Sequence, residues 1–470
     1  MNSDANLFHS LARTARERPE HVAIIEADVP VTYGELLRRT EALAGALQKS
    51  GVEAGQRIGL TFANSVHYVA LTYALWRCGA VVVPVPAEGS EDEAREIIAA
   101  MQLQGWITSD PRADSVSLAA DIFFTPLTPD TLPDNHGLDL AFIRFTSGTT
   151  NVRKGVALSH TTLRARIASA NQAFRVTADD TVIWCLPMAH HFLITIVLYI
   201  EAGATIVLVR QVLAQSFLAT TNRWRGTLLY AAPFHYAILA RDASTTPLPT
   251  VRLAVSTTCA LPESVAQDFW KRFNRPLVQA LGVIELGLVA INLEDPRGRW
   301  NSVGRAAGAF EIQLHQPDAD GCGELRVRGP GICDAYVAPW MGQAQFLTDG
   351  WFATGDLGRR DAEGYLQLLS RKTAVINLAG RKVFPEEIEA VLNQHPDVSE
   401  SRVFGRQHPH LGEVVEAELV PKSGALEVNS VLRHCRAHLA AYKIPMRFHV
   451  VAALPRTPVT GKIRRAAPAA

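Results

Sequence analysis

The stretch Phe145-Thr-Ser-Gly-Thr-Thr-Asn-Val-Arg-Lys-Gly155 decides how this chain is read. Ahead of it runs Leu140-Ala-Phe-Ile-Arg-Phe145, short and apolar enough for a buried strand. Beyond it, after Val156-Ala157-Leu158, Ser159-His160-Thr161-Thr162 reads as a helix start leading to Leu163, Ile167 and Ala170. A strand that empties into a loop of small, hydroxylated residues is suited to meet phosphate. Gly148 lets the backbone approach an anion closely, and Thr146, Ser147, Thr149 and Thr150 offer hydroxyl donors. Lys154 adds a cation. A Ser/Thr-rich surface turn is the plainer alternative. A Walker loop is excluded, because it needs Gly-Lys followed by Ser or Thr, whereas the order here is Lys154-Gly155-Val156.

The rest of the composition narrows the classes. With 470 residues, 48% hydrophobic and 20% charged, the chain can bury the cores of one large and one small domain. Lys+Arg and Asp+Glu balance at 46 each, which argues against broad binding to nucleic acid or an anionic membrane. Six scattered cysteines (Cys78, Cys185, Cys259, Cys322, Cys333, Cys435) form no C-x-x-C pair, so neither zinc nor a disulfide framework is expected, and a reducing cytoplasm fits. The apolar run from Phe192 to Ile200 is far shorter than the roughly 20 residues of a membrane span.

Helix and strand alternate through residues 1–140. Thr32-Tyr33-Gly34-Glu35 reads as a capping box, with Leu36, Thr40, Leu43 and Leu47 on one face before Gly51. Arg57–Phe62, Ser65–Arg77 and Ala80–Val85 predict strand, helix and strand, a crossover in a mostly parallel sheet. Residues 88–140 carry less pattern, broken by Pro126, Pro129 and Pro133. The rhythm returns with strands at Val182–Leu186, Ala204–Val209, Leu228–Pro233 and Leu253–Ser256, so two similar α/β lobes are expected. Short strands and turns between about 300 and 370 predict a small β-barrel. After Arg371 comes a compact α+β module, with helices near Pro385–Asn393 and Val428–Leu439. The expected division is 1–370 and 371–470.

The loop at 145–155 resembles the phosphate loop of the adenylate-forming superfamily: acyl-CoA and aryl-CoA synthetases, firefly luciferase and the adenylation domains of peptide synthetases. Its pattern, Thr-Ser-Gly-Thr-Thr-Gly-x-Pro-Lys-Gly, is kept except at Asn151 and Arg153. Four further motifs follow in family order. Gln279-Ala-Leu-Gly-Val-Ile-Glu285 resembles Tyr-Gly-x-Thr-Glu, matching at Gly282 and Glu285 and departing at Leu281 and Ile284. Thr354-Gly355-Asp356 resembles the ribose-binding turn, and Arg371 follows fifteen residues later. Ser370-Arg-Lys-Thr373 resembles the hinge, with Thr373 where the family has Asp or Lys, Lys372 beside it as the alternative pivot, and Thr373 then expected inside the following strand. Pro455-Arg-Thr-Pro-Val-Thr-Gly-Lys462 resembles Pro-x-Thr-x-x-Gly-Lys with one residue more.

The resemblance implies a large two-lobed α/β domain with a small β-barrel, and a small mobile C-terminal domain. It implies ATP and Mg2+, and a thiol co-substrate that is either coenzyme A or the phosphopantetheine of an acyl carrier protein. It assigns Glu285 to the metal, Thr146–Thr150, Lys154 and Gly282 to the nucleotide, Asp356 and Arg371 to the ribose, and Lys462 to catalysis. His190, in Pro187-Met-Ala-His190, matches the histidine at the mouth of the acid pocket. No aspartate follows it to hold an amine; Phe192-Leu-Ile-Thr-Ile follows instead, which predicts an aryl or fatty acid rather than an amino acid. Ser256-Thr-Thr-Cys-Ala-Leu261 stands where the family has Ser-Gly-Gly-Ala-Pro-Leu, and the added bulk favours a compact acid. Two other classes stay open: a binding protein of the same fold that has lost catalysis, and a kinase releasing ADP.

Overall fold

A computed structural model of the chain describes residues 5–87, 89–145, 154–210, 213–378, 381–408, 412–456 and 463. The chain forms two compact units. The first gathers Met1–Thr146, Val152–Glu311 and Arg328–Phe352; the second gathers Ile312–Val327 and Ala353–Ala470. The fold is mixed α/β. No helix among the described residues is long and apolar enough to cross a membrane.

The first unit opens with α1 (Phe8–Glu17), β1 (Val22–Glu26), β2 (Val29–Thr32) and α2 (Tyr33–Lys49). Thr32 caps α2 by accepting from the Glu35 N–H, 3.2 Å away. The expected box is half made, because the Glu35 carboxylate turns outward to Arg38 and Arg39. Next come β3 (Arg57–Thr61), α3 (Val66–Arg77) and β4 (Val81–Pro84), with β3 and β4 parallel as the spacing predicts. Only His67 and Arg77 of α3 are exposed, so this helix is buried on nearly every side. Its Trp76 indole donates to the Ala141 carbonyl at 2.8 Å.

The quiet stretch 88–140 holds more order than its sequence advertises. Ser90 and Glu93 make a complete capping box for α4 (Glu91–Met101). Then follow β5 (Gly105–Thr108), β6 (Val116–Ala119) and β7 (Ile122–Pro126), an antiparallel edge that tolerates Pro126 at its end. β8 (Leu140–Phe145) lies parallel to β4. Where the sequence leads from loop toward helix, the structure inserts a strand: β9 (Gly155–Ser159) pairs antiparallel with β8, Phe145 facing Gly155. Ser159 then caps α5 (His160–Phe174), accepting from the Thr162 N–H at 3.1 Å.

The second half of this unit adds β10 (Thr181–Trp184), α6 (Met188–His191), a π-turn over Phe192–Ile196, α7 (Val197–Ala202) and β11 (Thr205–Leu208). The apolar run from Phe192 to Ile200 is thus helical but wound wide for its first five residues. The order continues with α8 (Ala214–Arg223), β12 (Leu228–Ala231), α9 (Pro233–Arg241), β13 (Leu253–Ser256), α10 (Glu263–Phe273), β14 (Leu277–Val283), β15 (Gly287–Ile291) and β16 (Arg305–Ala306). These strands form a nine-stranded sheet ordered β16-β15-β14-β13-β12-β10-β11-β1-β2. Its outer end is a surprise: β1 and β2 leave the neighbouring lobe, and β1 lies parallel to β11. β17 (Glu311–His315) and β18 (Gly323–Arg328) come before β19 (Ala335–Val337) and β20 (Met341–Gly342). The other nine-stranded sheet reads β20-β19-β9-β8-β4-β3-β5-β7-β6, so β19 sits beside the strand that follows the phosphate loop.

Beyond α11 (Gln343–Phe346) and β21 (Leu347–Thr348) come β22 (Trp351–Arg360) and β23 (Leu366–Arg371). In the second unit, β17, β18 and β22 lie side by side, with β23 antiparallel to β22; these are the short strands of the expected barrel region. β24 (Ile376–Leu378), β25 (Arg381–Val383), α12 (Pro385–Leu392), β26 (Val398–His408), β27 (Gly412–Pro421), α13 (Val428–His438) and β28 (Arg447–Val450) complete the small α+β module. Ile376, Ile388, Leu392, Val403, Val415, Leu419 and Val431 form its core. Its two helices agree with the predicted spans to within one residue.

Candidate active site

Glu285 stands in the tight turn between β14 and β15, closed by Leu286 N–H to Val283 O at 3.0 Å. Gly287 completes the turn at φ +97°, and a Cβ there would press on the Arg166 stem at 3.3 Å. The turn is clamped from outside by Arg166 of α5. Its Nε donates to Gly331 O (2.5 Å), its Nη1 to Ile284 O (2.9 Å) and its Nη2 to Glu285 O. Burial lowers the Arg166 pKa to about 10, against the pull of Cys333, Glu285 and Asp334. The group stays charged at neutral pH all the same.

Tyr336 of β19 donates to Glu285 Oε1 at 3.0 Å, and the Lys154 ammonium lies 5.3 Å above the Tyr336 ring. Strand pairing explains the meeting. Val337 faces Gly155 and Tyr336 faces Val156, so the residue before Gly155 lands on the tyrosine. Burial first, then Glu285, raises the Tyr336 pKa, which keeps its hydroxyl protonated as a donor. Asp334 fixes the same corner, accepting from Ser159 N at 2.7 Å and Thr162 Oγ1 at 3.0 Å. Gly282 lies on β14 at a bulge beside Leu281, exposed.

His190 is half-buried on α6. Asn64 clips this segment in place, with Nδ2 donating to Leu186 O and Oδ1 accepting from Met188 N, both 2.8 Å. Nearby, Trp184 stacks on Tyr230 with ring centres 5.6 Å apart, and Tyr230 shares a hydrogen bond with the Thr257 side chain. Thr258 holds φ +77°, a left-handed backbone that a β-branched residue adopts only under strain.

In the second unit, Asp356 and Arg371 face each other across β22 and β23. Arg371 Nε reaches Asp356 Oδ1 at 2.7 Å and its Nη1 reaches Thr354 O at 3.1 Å. Gly355 takes φ +73° between them. Their fifteen-residue spacing is thus a hairpin register. Lys372 pairs with Glu324 at 3.2 Å. Thr373 lies in a 3-10 turn over Lys372–Ala374 and is exposed, rather than inside the following strand; the turn intervenes before β24 begins.

Thr146, Ser147, Gly148, Thr149, Thr150 and Lys462 lie outside the described residues. The structure therefore brings together Lys154 and Glu285 in the first unit, and Asp356 and Arg371 in the second. The sequence reading missed Tyr336 and Arg166. Arg166 gave one signal, a charge three residues after Leu163 and one before Ile167 on the buried face of α5. Among the described residues, no three His, Cys, Asp or Glu side chains gather to hold a metal on their own.

Comparison with known proteins agrees with this geometry. The family described as AMP-binding enzyme matches residues 11–337, and the AMP-binding enzyme C-terminal domain matches residues 387–462. A probable CoA ligase of Humulus lupulus is 28% identical over 99% of this chain and 96% of its own length. The indoleacetate–CoA ligase of Aromatoleum aromaticum is 29% identical over 96% of this chain and 95% of its own. ATP-bound MatB of Rhodopseudomonas palustris superposes with a TM-score of 0.84 at 26% identity, covering 98% of this chain and 97% of that one. The chain belongs to the AMP-binding enzymes, the adenylate-forming superfamily that its five motifs resemble.

Proposed function

We propose that the protein joins a carboxylic acid to a thiol in two steps. A carboxylate oxygen attacks the α-phosphorus of ATP, the bond to the β-phosphate breaks, and pyrophosphate leaves. The thiol of coenzyme A or of a carrier-protein phosphopantetheine then attacks the acyl carbon, AMP departs, and the thiol proton is released. The observation that carries this reading is the Lys154–Tyr336–Glu285 cluster at β9, β19 and the end of β14, a cation and an oriented carboxylate, with Lys154 next in sequence to a hydroxyl-rich stretch.

Roles follow from charge and position. Thr146 to Thr150 and Lys154 cradle the phosphates, and Gly282 leaves the nucleotide room. Glu285 offers one carboxylate toward Mg2+, which fits an ion held by one or two carboxylates plus substrate phosphates. The ion would neutralise charge on the phosphate oxygens. Asp356 and Arg371 hold the ribose, His190 stands at the mouth of the acid pocket, and Lys462 stabilises charge at the α-phosphate. Residues 1–370 bind ATP and acid, and residues 371–470 move to bring Lys462 in and out. The acid lacks an α-amine and is compact, aryl or fatty. Six free cysteines suit a reducing cytoplasm.

The test is the leaving group. With ATP, Mg2+ and a panel of aryl and fatty acids, acid-dependent release of pyrophosphate and AMP is expected. Orthophosphate with ADP would mean a kinase. Nucleotide binding without either product would mean a degenerate binding protein.

A further inference from the structure

Arg144 is a charge out of place. The rest of β8 is apolar, and Phe142, two residues earlier on the same face, belongs to the central core with Tyr68 and Tyr230. Both Arg144 and Tyr336 face Val156, one from each side, so all three side chains leave the same face of the sheet. Strand spacing sets the two outer residues about 10 Å apart, across one intervening strand. That face is the one from which Tyr336 reaches Glu285.

Two buried arginines, Arg57 and Arg166, are fully engaged. Arg57 donates to Asn135 Oδ1, Met101 O and Asp134 O, and Arg166 to three backbone carbonyls. Arg144 differs from both. Among the described residues it has no carboxylate within 4 Å, and its Nε is buried with no hydrogen-bond partner. Glu285, Tyr68 and Tyr230 lie within electrostatic reach, yet Glu285 Oε1 is already committed to Tyr336. A half-buried guanidinium whose buried Nε lacks an acceptor gains from any group that supplies one, and its planar fork matches a carboxylate or a similar oxyanion. The stacked Trp184 and Tyr230 and the buried Phe192 belong to the same apolar core as Phe142.

We infer that Arg144 receives a second anionic group of the acid substrate, so that the enzyme prefers compact acids bearing two negative charges. The inference rests on the adenylation reading above, in which the first carboxylate is the one that attacks ATP. Arg144 is then a specificity-determining residue, and the acid class narrows from aryl or fatty acids in general to those with a remote carboxylate or sulfonate.

The test compares matched acids with the full-length protein: succinate against butyrate, and terephthalate against 4-methylbenzoate, followed by pyrophosphate release. The dianionic member of at least one pair should show a higher kcat/KM by about tenfold or more. Arg144→Met keeps the bulk and removes the charge, an exchange that buried sites usually tolerate. It should cut the dianion-to-neutral ratio by about 30-fold or more, through the KM for the acid. A wild-type enzyme that favours the neutral acid in every pair overturns the inference. So does a variant whose main defect is a raised KM for ATP, which would place Arg144 on the phosphates. Equal loss on all acids with a lowered Tm would make it a structural charge. Should no acid release pyrophosphate, the adenylation reading fails by itself. Thermal shift with terephthalate or succinate alone then decides: stabilisation of the wild type and not of Arg144→Met supports the site, and no shift in either refutes it.

Discussion

Glu285 presents an oriented carboxylate because two other residues hold it. Tyr336 takes one oxygen and Arg166 grips the turn by two of its carbonyls, so the side chain has little freedom left. As the magnesium ligand, Glu285→Gln should raise the Mg2+ concentration needed for half-maximal pyrophosphate release by about tenfold or more while Tm is kept. A variant that unfolds, with activity tracking folded protein, would make Glu285 a structural carboxylate. Arg166→Lys keeps the charge but cannot span Gly331, Ile284 and Glu285 at once. It should cost about 2–3 kcal/mol by chemical denaturation, the worth of one charged hydrogen bond or slightly more, and lower adenylation with it. At this scale the sequence was half legible. Glu285 and Asp356 sit in motifs whose residue types announce their chemistry. Tyr336 and Arg166 became visible only with the fold, because a clamp on three carbonyls has no sequence pattern.

At the scale of elements, helix and strand identities were readable where periodicity and caps agreed, as in α3, α12 and α13. The helix after Thr32 was read correctly, although stronger local charges took the Glu35 half of its cap pair, and a strand too short to show alternation, β9, was missed. The 3-10 turn over Lys372–Ala374 is the element on which domain movement would depend. Proline fixes φ near −65° and should trap one state there. Lys372→Pro or Thr373→Pro is expected to leave acyl-adenylate formation and abolish most thioester formation, read by pyrophosphate release and thioester mass on one sample. Loss of neither step in a folded variant would move the pivot elsewhere. A second element carries a pH signature. The Leu7 N–H, just ahead of α1, donates to His160 Nδ1 of α5 at 3.2 Å, which requires a neutral ring. Burial, then Arg164 and His9, push that histidine from 6.5 down to about 3. The unfolded chain takes up a proton near 6.5 and the folded one does not until about 3. The contribution is therefore whole above 6.5 and is lost as pH falls toward 3, by up to about 1.4 kcal/mol per pH unit. His160→Gln should flatten that limb of the stability profile; an unchanged slope would contradict the assignment.

For the whole molecule, the proposed division of labour makes Lys462 the residue that distinguishes the two steps. Lys462→Ala should nearly abolish adenylation while transfer from supplied acyl-adenylate is spared; equal loss in both would contradict the role. The lobes were legible in the repeated strand-helix rhythm, and the order of strands within them was not. Periodicity reports what a segment is and says nothing of its neighbours. The clearest case is the first hairpin of the chain, whose β1 packs against β11: Ile24 faces Ile206, 182 positions further on (206 minus 24). That pairing has a consequence in time. On a ribosome adding about 5–20 residues per second, Ala23-Ile24-Ile25 must wait on the order of 10–40 s for its partner to be made. During that interval an apolar strand has no mate, and its own short hairpin is marginal in water. Nascent chains of this protein should therefore carry a sticky leading segment that a holding chaperone covers, and release should coincide with emergence of β11 from the exit tunnel.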